Sequence, residues 1–94
     1  MAVFHDRILN MVSSELELNR LRWRSRRGML ELDLLLLPFF DDEFRQLPDA
    51  EQTAFIRLLE QEDPDLLEWF SRKGVPDDQE LGQLVEKILA RVQP

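Results

Sequence analysis

The chain has 94 residues, a mass of 11.2 kDa and a formal net charge of −7, with 44% hydrophobic and 33% charged side chains. This length allows one domain, and the composition argues against a disordered chain and against a membrane-spanning one. Cysteine is absent, which excludes disulfides and thiolate metal sites, and the negative charge argues against a general binder of nucleic acid or of anionic membranes.

Charge is distributed unevenly along the chain. Residues 1–30 carry six arginines and three acids, whereas residues 31–94 carry six basic and sixteen acidic residues. Five of the arginines lie between Arg20 and Arg27, with no acid among them. The sequence therefore predicts a compact basic face on an acidic body.

The N-terminal third begins with an extension that has no clear pattern. Residues 1–14 form this uncertain extension, and residues 15–94 form a single helical domain. The first helix of the domain is expected over Glu15–Arg27, and Gly28 is its natural terminator.

The second predicted helix covers about Met29–Leu37. Pro38 ends it, because a proline disfavours helical geometry at the residue before it. A short segment of one or two turns follows over Asp42–Leu47, and its spacing directs Phe44 and Leu47 inward together.

The third and fourth helices are predicted from their start signals. The third covers about Ala50–Gln61, and Asp49 with Gln52 forms a capping box at its start. The fourth starts with Asp63 as the N-cap and Pro64 at the first helical position.

The fifth predicted helix has the clearest apolar periodicity. It covers about Asp78–Arg91, and Asp77 with Glu80 forms a capping box at its start. Six apolar residues follow the spacing of one helical face. They are Leu81, Leu84, Val85, Ile88, Leu89 and Val92.

The fold class follows from these elements and from residue usage. The chain has 18 leucines and no sustained two-residue alternation of β-branched residues. The sequence therefore predicts an all-α fold, a single small bundle of about five helices.

Residues that could carry out catalysis are scarce. His5 is the only histidine, so neither a metal site nor a Ser/His/Asp triad is expected. The three glycines do not form a phosphate-binding loop. The acidic clusters fit helix starts and solvent-facing helix surfaces better than an acid/base pair. The sequence therefore predicts a protein that is not an enzyme.

The segment from Arg20 to Glu31 is the best candidate for function. On a continuous helix Arg20, Trp23 and Arg27 would share a face, with the ring of Trp23 available for stacking. Arg27 and Glu31 would share a face too, and Gly28 would let a partner approach closely. The alternatives are that Trp23 anchors the core among solvated arginines, and that Gly28 is a C-cap beside a weak ion pair. Spacing alone leaves both alternatives open.

This segment resembles the signature of the SdhE (YgfY-type) succinate dehydrogenase assembly factors, R-G-x-x-E. The motif residues here are Arg27, Gly28 and Glu31. The likeness extends over about Arg20–Val92, through stretches that lie further along the chain. These are Asp33, Pro38-Phe39-Phe40, FIRLLE at 55–60, EDPDLLEW at 62–69, Gly74 and Pro76.

The resemblance implies a chaperone function. The chain would bind the flavoprotein subunit of succinate dehydrogenase, and of fumarate reductase in related bacteria, and promote covalent attachment of FAD. A histidine of the flavoprotein would attack the 8α-methyl carbon of the flavin, and this chain would contact FAD only transiently. Arg27, Gly28 and Glu31 would form the exposed contact surface. Arg20, Trp23 and Asp33 match adjacent family positions and are second choices.

The sequence also bears on the location of the chain and on alternative functions. The apolar runs are too short to cross a bilayer, and no organelle transit peptide is recognisable, so the bacterial cytoplasm is expected. The chain is expected to be a monomer or to self-associate weakly. One alternative function is a protein-interaction module that acts as an antitoxin-like partner of a membrane or cytoskeletal protein. Another is a nucleic-acid binder that uses the arginine-rich face, which the net charge of −7 disfavours.

Overall fold

The computed structural model describes residues 15–92, in which five α-helices and no strand are found. The helices are α1 (residues 15–25), α2 (Leu30–Glu43), α3 (Asp49–Leu59), α4 (Asp63–Phe70) and α5 (Gln79–Ala90). A short 3₁₀ helix, Phe44–Gln46, directly follows α2. The prediction of an all-α bundle of about five helices is confirmed. The predicted extension over residues 1–14 lies outside the described residues.

A cluster of four phenylalanines lies in the core and joins α2 to α3. The ring of Phe55 lies 5.7 Å from that of Phe39, 6.0 Å from that of Phe40 and 5.5 Å from that of Phe44, measured between centroids. All four side chains are buried. Phe55 therefore packs α3 against both α2 and the 3₁₀ helix, and the predicted inward orientation of Phe44 is confirmed.

The apolar face of α5 completes the core on the side of α3. Leu81, Leu84, Val85, Ile88 and Leu89 are buried, as predicted. Val92 is exposed, so its assignment to this face is wrong. The reason is that α5 ends at Ala90, two residues before Val92.

Pro38 lies inside α2 and does not end it, so the predicted end at Leu37 is wrong. Pro38 cannot donate to the carbonyl of Leu34, but both residues are exposed, so the missing hydrogen bond lies on the solvent side. On the other side Phe39 and Phe40 are buried, and their packing requires the helix to continue. Tertiary packing thus overrides the local signal of the proline.

The predicted capping boxes are also wrong. The amide of Gln52 donates to the carbonyl of Phe44 at 2.9 Å instead of capping α3, which begins at Asp49. At the start of α5 the N-cap is Asp78, whose carboxylate accepts the backbone N–H groups of Glu80 and Leu81. Gln52 and Asp78 therefore stabilise the starts of α3 and α5, but through partners that the capping-box spacing did not predict.

No helix within residues 15–92 is both long and apolar enough to cross a membrane. The longest described helix, α2, has 14 residues, against the roughly 20 that a bilayer requires.

Replacing Phe55 by alanine tests the core. Phe55 is fully buried and contacts three other rings, so Phe55→Ala should lower the free energy of unfolding by about 3–5 kcal/mol. Urea denaturation followed by circular dichroism measures this change. Val75→Ala is the control, because Val75 is exposed and its loss should cost about 0.5 kcal/mol or less. Equal stabilities of the two variants would contradict the assigned core.

Candidate functional site

The turn between α1 and α2 and the start of α2 hold the motif residues Arg27, Gly28 and Glu31. α1 ends at residue 25, two residues earlier than predicted, and the hydroxyl of the buried Ser25 donates to the carbonyl of Leu21 at 2.7 Å. Gly28 has a φ of +83°, in the left-handed region that glycine adopts without steric cost. This conformation lets the chain leave α1 and enter α2 at Leu30.

Arg27 points inward from this turn and joins it to the segment between α3 and α4. Its guanidinium donates from Nε to Oδ1 of Asp63 at 2.8 Å, from Nη1 to the carbonyl of Leu59 at 2.8 Å and from Nη2 to the carbonyl of Gln61 at 2.7 Å. Only 16% of the side chain is exposed. We call these contacts the Arg27 network. The predicted role of Arg27 as an exposed contact does not fit this placement.

The Arg27 network suits the chemistry of an arginine. The guanidinium is a planar fork of five N–H donors, and here three of its nitrogens meet three different acceptors. One of these acceptors is the carbonyl of Leu59, the last residue of α3, where carbonyls lack helical donors and a positive charge is favoured. Another is the carbonyl of Gln61, two residues beyond the end of the helix. Lysine, with one ammonium group, would not reproduce this geometry.

Asp33 holds the same turn from the side of α2. Its Oδ1 accepts the backbone N–H of Arg27 at 2.7 Å, and the residue is half-buried. Asp33 therefore positions the turn, and as a half-buried residue it has less surface available to a partner than Glu31 has.

Gly28 and Glu31 are the two motif residues that lie on the surface. A Cβ placed at Gly28 would meet no atom within 4 Å, so the backbone there is open to an approaching partner. Glu31 lies exposed in the first turn of α2, and within residues 15–92 its carboxylate has no hydrogen bond or ion pair. We call these two residues the turn surface.

The outer face of α1 carries the other exposed candidates. The side chain of Trp23 is 73% exposed, which rules out the alternative of a core anchor. Arg20 is exposed, and its Nη1 lies 3.9 Å from Oε1 of Glu17, a distance typical of a weak surface ion pair. The predicted face shared by Arg20, Trp23 and Arg27 is wrong, because α1 ends before Arg27 and that side chain turns inward.

An ion pair fixes α1 against α2 near the other end of α2. Arg22 donates from Nε and Nη2 to the two carboxylate oxygens of Asp41, at 2.8 and 3.0 Å. These hydrogen bonds hold the pKa of the Asp41 carboxyl below its ordinary value. α1 is thus attached to α2 at Arg22, in addition to the turn itself.

Asp63 belongs to this region through its contact with Arg27, although its sequence position did not predict this. The sequence Asp63-Pro64 reads as a helix start, but the N-cap of α4 is Glu62 and the Asp63 carboxylate accepts from Arg27. The two residues are 36 positions apart, so no periodic pattern could have paired them.

This region contains no histidine or cysteine, and its exposed groups are suited to contact with a partner. Its exposed elements are an open backbone, one carboxylate and an aromatic ring beside arginines. Within the described part of the chain, no group of three or more His, Cys, Asp or Glu side chains is placed to hold a metal ion.

Comparison with known proteins gives concordant matches over most of the chain. The model of the family described as "Flavinator of succinate dehydrogenase" matches residues 19–92. A Pseudomonas aeruginosa protein named FAD assembly factor SdhE is 49% identical over 83 residues, which cover 88% of this chain and 99% of that protein. Proteins of the same name from Yersinia pseudotuberculosis and Aliivibrio fischeri are 51% and 48% identical, over 77% and 84% of this chain and 82% and 91% of their own lengths.

The Arg27 network predicts that this residue stabilises the fold. Arg27→Ala would leave the Asp63 carboxylate and two carbonyls without their donor, so the free energy of unfolding should fall by about 2–4 kcal/mol. Arg27→Lys keeps the charge but not the fork and should cost about 1–2 kcal/mol. Chemical denaturation measures both changes.

The matched control for this prediction is Arg24→Ala. Arg24 is exposed on α1, and its side chain has no hydrogen bond or ion pair among the described residues, so its loss should change the free energy by about 0.5 kcal/mol or less. An Arg27→Ala protein as stable as this control would show that the Arg27 network does not hold the fold.

Proposed function

This chain belongs to the family of succinate dehydrogenase flavinators, and from that premise we propose that it binds the flavoprotein subunit of succinate dehydrogenase and promotes covalent attachment of FAD to that subunit. Its relatives are named as assembly factors, and the chain is an assembly factor and not an enzyme. The observation that carries the proposal is the exposed turn surface, held in place by the Arg27 network.

The turn surface provides the first contact with the flavoprotein. Gly28 has no side chain to separate the two backbones, so a segment of the partner can approach the turn closely. Glu31 supplies two acceptor oxygens that no described residue of its own chain uses, and a basic group or N–H donor of the flavoprotein satisfies them. Arg20 and Trp23 extend the contact along α1.

Arg27 and Asp33 act on binding through the turn that they position. Arg27 fixes the turn to α3 and α4, and Asp33 fixes the backbone of Arg27 itself. A turn that is already ordered loses less conformational entropy on binding than a mobile one, which favours affinity. In this proposal the motif R-G-x-x-E combines one interior residue with two surface residues.

FAD is bound by the flavoprotein, and this chain contacts it only transiently in the complex. The covalent bond forms on the flavoprotein, where this chain holds the partner in the geometry that the attachment requires. Side chains of Arg24 and Arg26 are exposed without partners among the described residues and provide donors suited to a diphosphate or a carboxylate.

The chain binds as a monomer in the bacterial cytoplasm, and a fumarate reductase flavoprotein with the same contact surface is a second partner. Electrostatic attraction between the basic face of α1 and acidic groups on the partner speeds association, an effect that salt weakens.

The test follows covalent flavin in a bacterial strain that lacks this gene. Flavin fluorescence of the succinate dehydrogenase flavoprotein on a denaturing gel should be weak in the deletion strain and restored by the wild-type chain. Glu31→Gln keeps the shape but removes the charge, and we expect it to restore about a tenth of the signal or less. Asp65→Asn is the matched control, since Asp65 is exposed on α4, and should restore full signal.

A second variant in the same assay separates contact from folding. In Gly28→Arg the added Cβ meets no neighbouring atom. The substitution should therefore lower the free energy of unfolding only by the strain of a positive φ, about 1–2 kcal/mol. It should remain folded by circular dichroism and yet abolish covalent flavin. Gly28→Asn tolerates the same backbone with a smaller side chain and should retain more signal. Full covalent flavin in the deletion strain itself would contradict the proposed function and favour the interaction-module alternative.

A further inference from the structure

Asp63 holds the side chain of Arg27 from an anchored position at the start of α4. It is the first residue of that helix, and Pro64 follows it with a φ that its ring fixes. Leu66, in the same turn of the helix, is fully buried in the core. The carboxylate of Asp63 is therefore presented to Arg27 from an element that packing and backbone geometry keep in place.

The corner between α3 and α4 supplies the two other acceptors of Arg27, and it is also held in place. Leu59, whose carbonyl is one of them, is buried at the end of α3. The side chain of Gln61 donates from Nε2 to the carbonyl of Arg57 at 3.0 Å, which fixes the segment that carries the second carbonyl. Arg27 thus binds to a corner whose acceptors are already in position.

Asp63 differs from the two carbonyls because it is charged and because it meets Nε. Hydrogen bonds between ionised groups are roughly twice as strong as bonds between neutral ones. Nε is the guanidinium nitrogen that lies on the aliphatic chain, so its bond to Oδ1 of Asp63 at 2.8 Å sets the direction in which the planar group faces. Asp63 therefore determines the orientation of the Arg27 guanidinium more strongly than either carbonyl does.

The backbone end of Arg27 is held by a second carboxylate, so two acids define the turn. Asp33 accepts the backbone N–H from the side of α2, and Asp63 accepts the guanidinium from the side of α4. The next residue, Gly28, has a φ of +83°, and no atom lies within 4 Å of a Cβ placed on it. The conformation at Gly28 thus depends on the bonds of its neighbours, and a change at Asp63 reaches it through Arg27 alone.

We propose that Asp63 is a positioning residue for flavoprotein binding, which orders the turn surface through Arg27 and does not itself contact the partner. This inference rests on the proposed function. The carboxylate of Asp63 is engaged within the chain, whereas that of Glu31 has no partner among residues 15–92. The competing interpretation is that Asp63 stabilises the fold and leaves the turn surface unaffected.

Hydrogen exchange of the free chain tests the link between Asp63 and the turn. Asp63→Asn keeps the shape of the side chain but removes its charge. The backbone amide of Arg27, which donates to Asp33, should then exchange about threefold faster or more. Asp65→Asn makes the same chemical change at an exposed site on α4 and should leave this rate unchanged. Equal rates in the two variants would contradict the inference without any reference to the flavoprotein.

Binding to the purified flavoprotein subunit of succinate dehydrogenase, measured by titration calorimetry, tests the functional consequence. The dissociation constant should rise about fivefold or more for Asp63→Asn and stay within about twofold of the wild-type value for Asp65→Asn. Ile88→Val removes one buried methyl group from α5 and controls for a general loss of stability. It should lower the melting temperature and bind like the wild type.

A double variant shows whether Asp63 acts through the turn surface. In a chain that already carries Glu31→Gln, the contact that Asp63 positions is lost, so adding Asp63→Asn should weaken binding by only about twofold or less. An effect of full size in that background would assign Asp63 to direct contact or to overall stability, and the positioning role would be wrong.

The outcomes separate this inference from the proposed function. Unchanged affinity for Asp63→Asn, together with weakened binding for Glu31→Gln, would overturn the role of Asp63 and leave the proposed function standing. No binding of the wild-type chain to the flavoprotein would overturn the proposed function and the positioning role in binding with it, even where the exchange rate of the Arg27 amide responds to Asp63→Asn.

Discussion

The inward orientation of Arg27 is the constraint on which the rest of this surface depends. One guanidinium joins the turn after α1 to the end of α3 and the start of α4, through acceptors on Leu59, Gln61 and Asp63. With Arg27 held there, the left-handed conformation of Gly28 directs the chain into α2 and leaves Glu31 exposed. The positions of the exposed groups therefore follow from a contact that is itself largely shielded from solvent.

This arrangement suits a protein that acts by binding. An assembly factor contributes the shape and polarity of its surface, and its affinity depends on how little that surface must rearrange. The turn and α2 are both anchored, the turn by Arg27 and Asp33 and the helix by its buried phenylalanines. The open backbone at Gly28 and the carboxylate of Glu31 are thus presented on a rigid support.

The sequence predicted the parts of the structure that depend on local patterns. The prediction of the buried face of α5 was correct for five residues, because regular helical spacing determines which side chains share a face. The motif R-G-x-x-E was found through the family resemblance. The contact of Arg27 with Asp63 could not be predicted, since it joins residues 36 positions apart. The helix end predicted at Pro38 was wrong because burial of Phe39 and Phe40 outweighs a missing hydrogen bond on the solvent side. Local signals fail here where tertiary packing or long-range hydrogen bonds determine the structure.

The central claim is that Arg27 is an interior residue and Glu31 a contact residue. A structure of the chain bound to the flavoprotein subunit of succinate dehydrogenase tests it most directly. The account predicts that Arg27 keeps its bonds to Asp63 and to the carbonyls of Leu59 and Gln61 in the complex, while the Glu31 carboxylate lies within hydrogen-bond distance of the flavoprotein. A complex in which Arg27 leaves Asp63 to contact the flavoprotein, with Glu31 still in solvent, would contradict it.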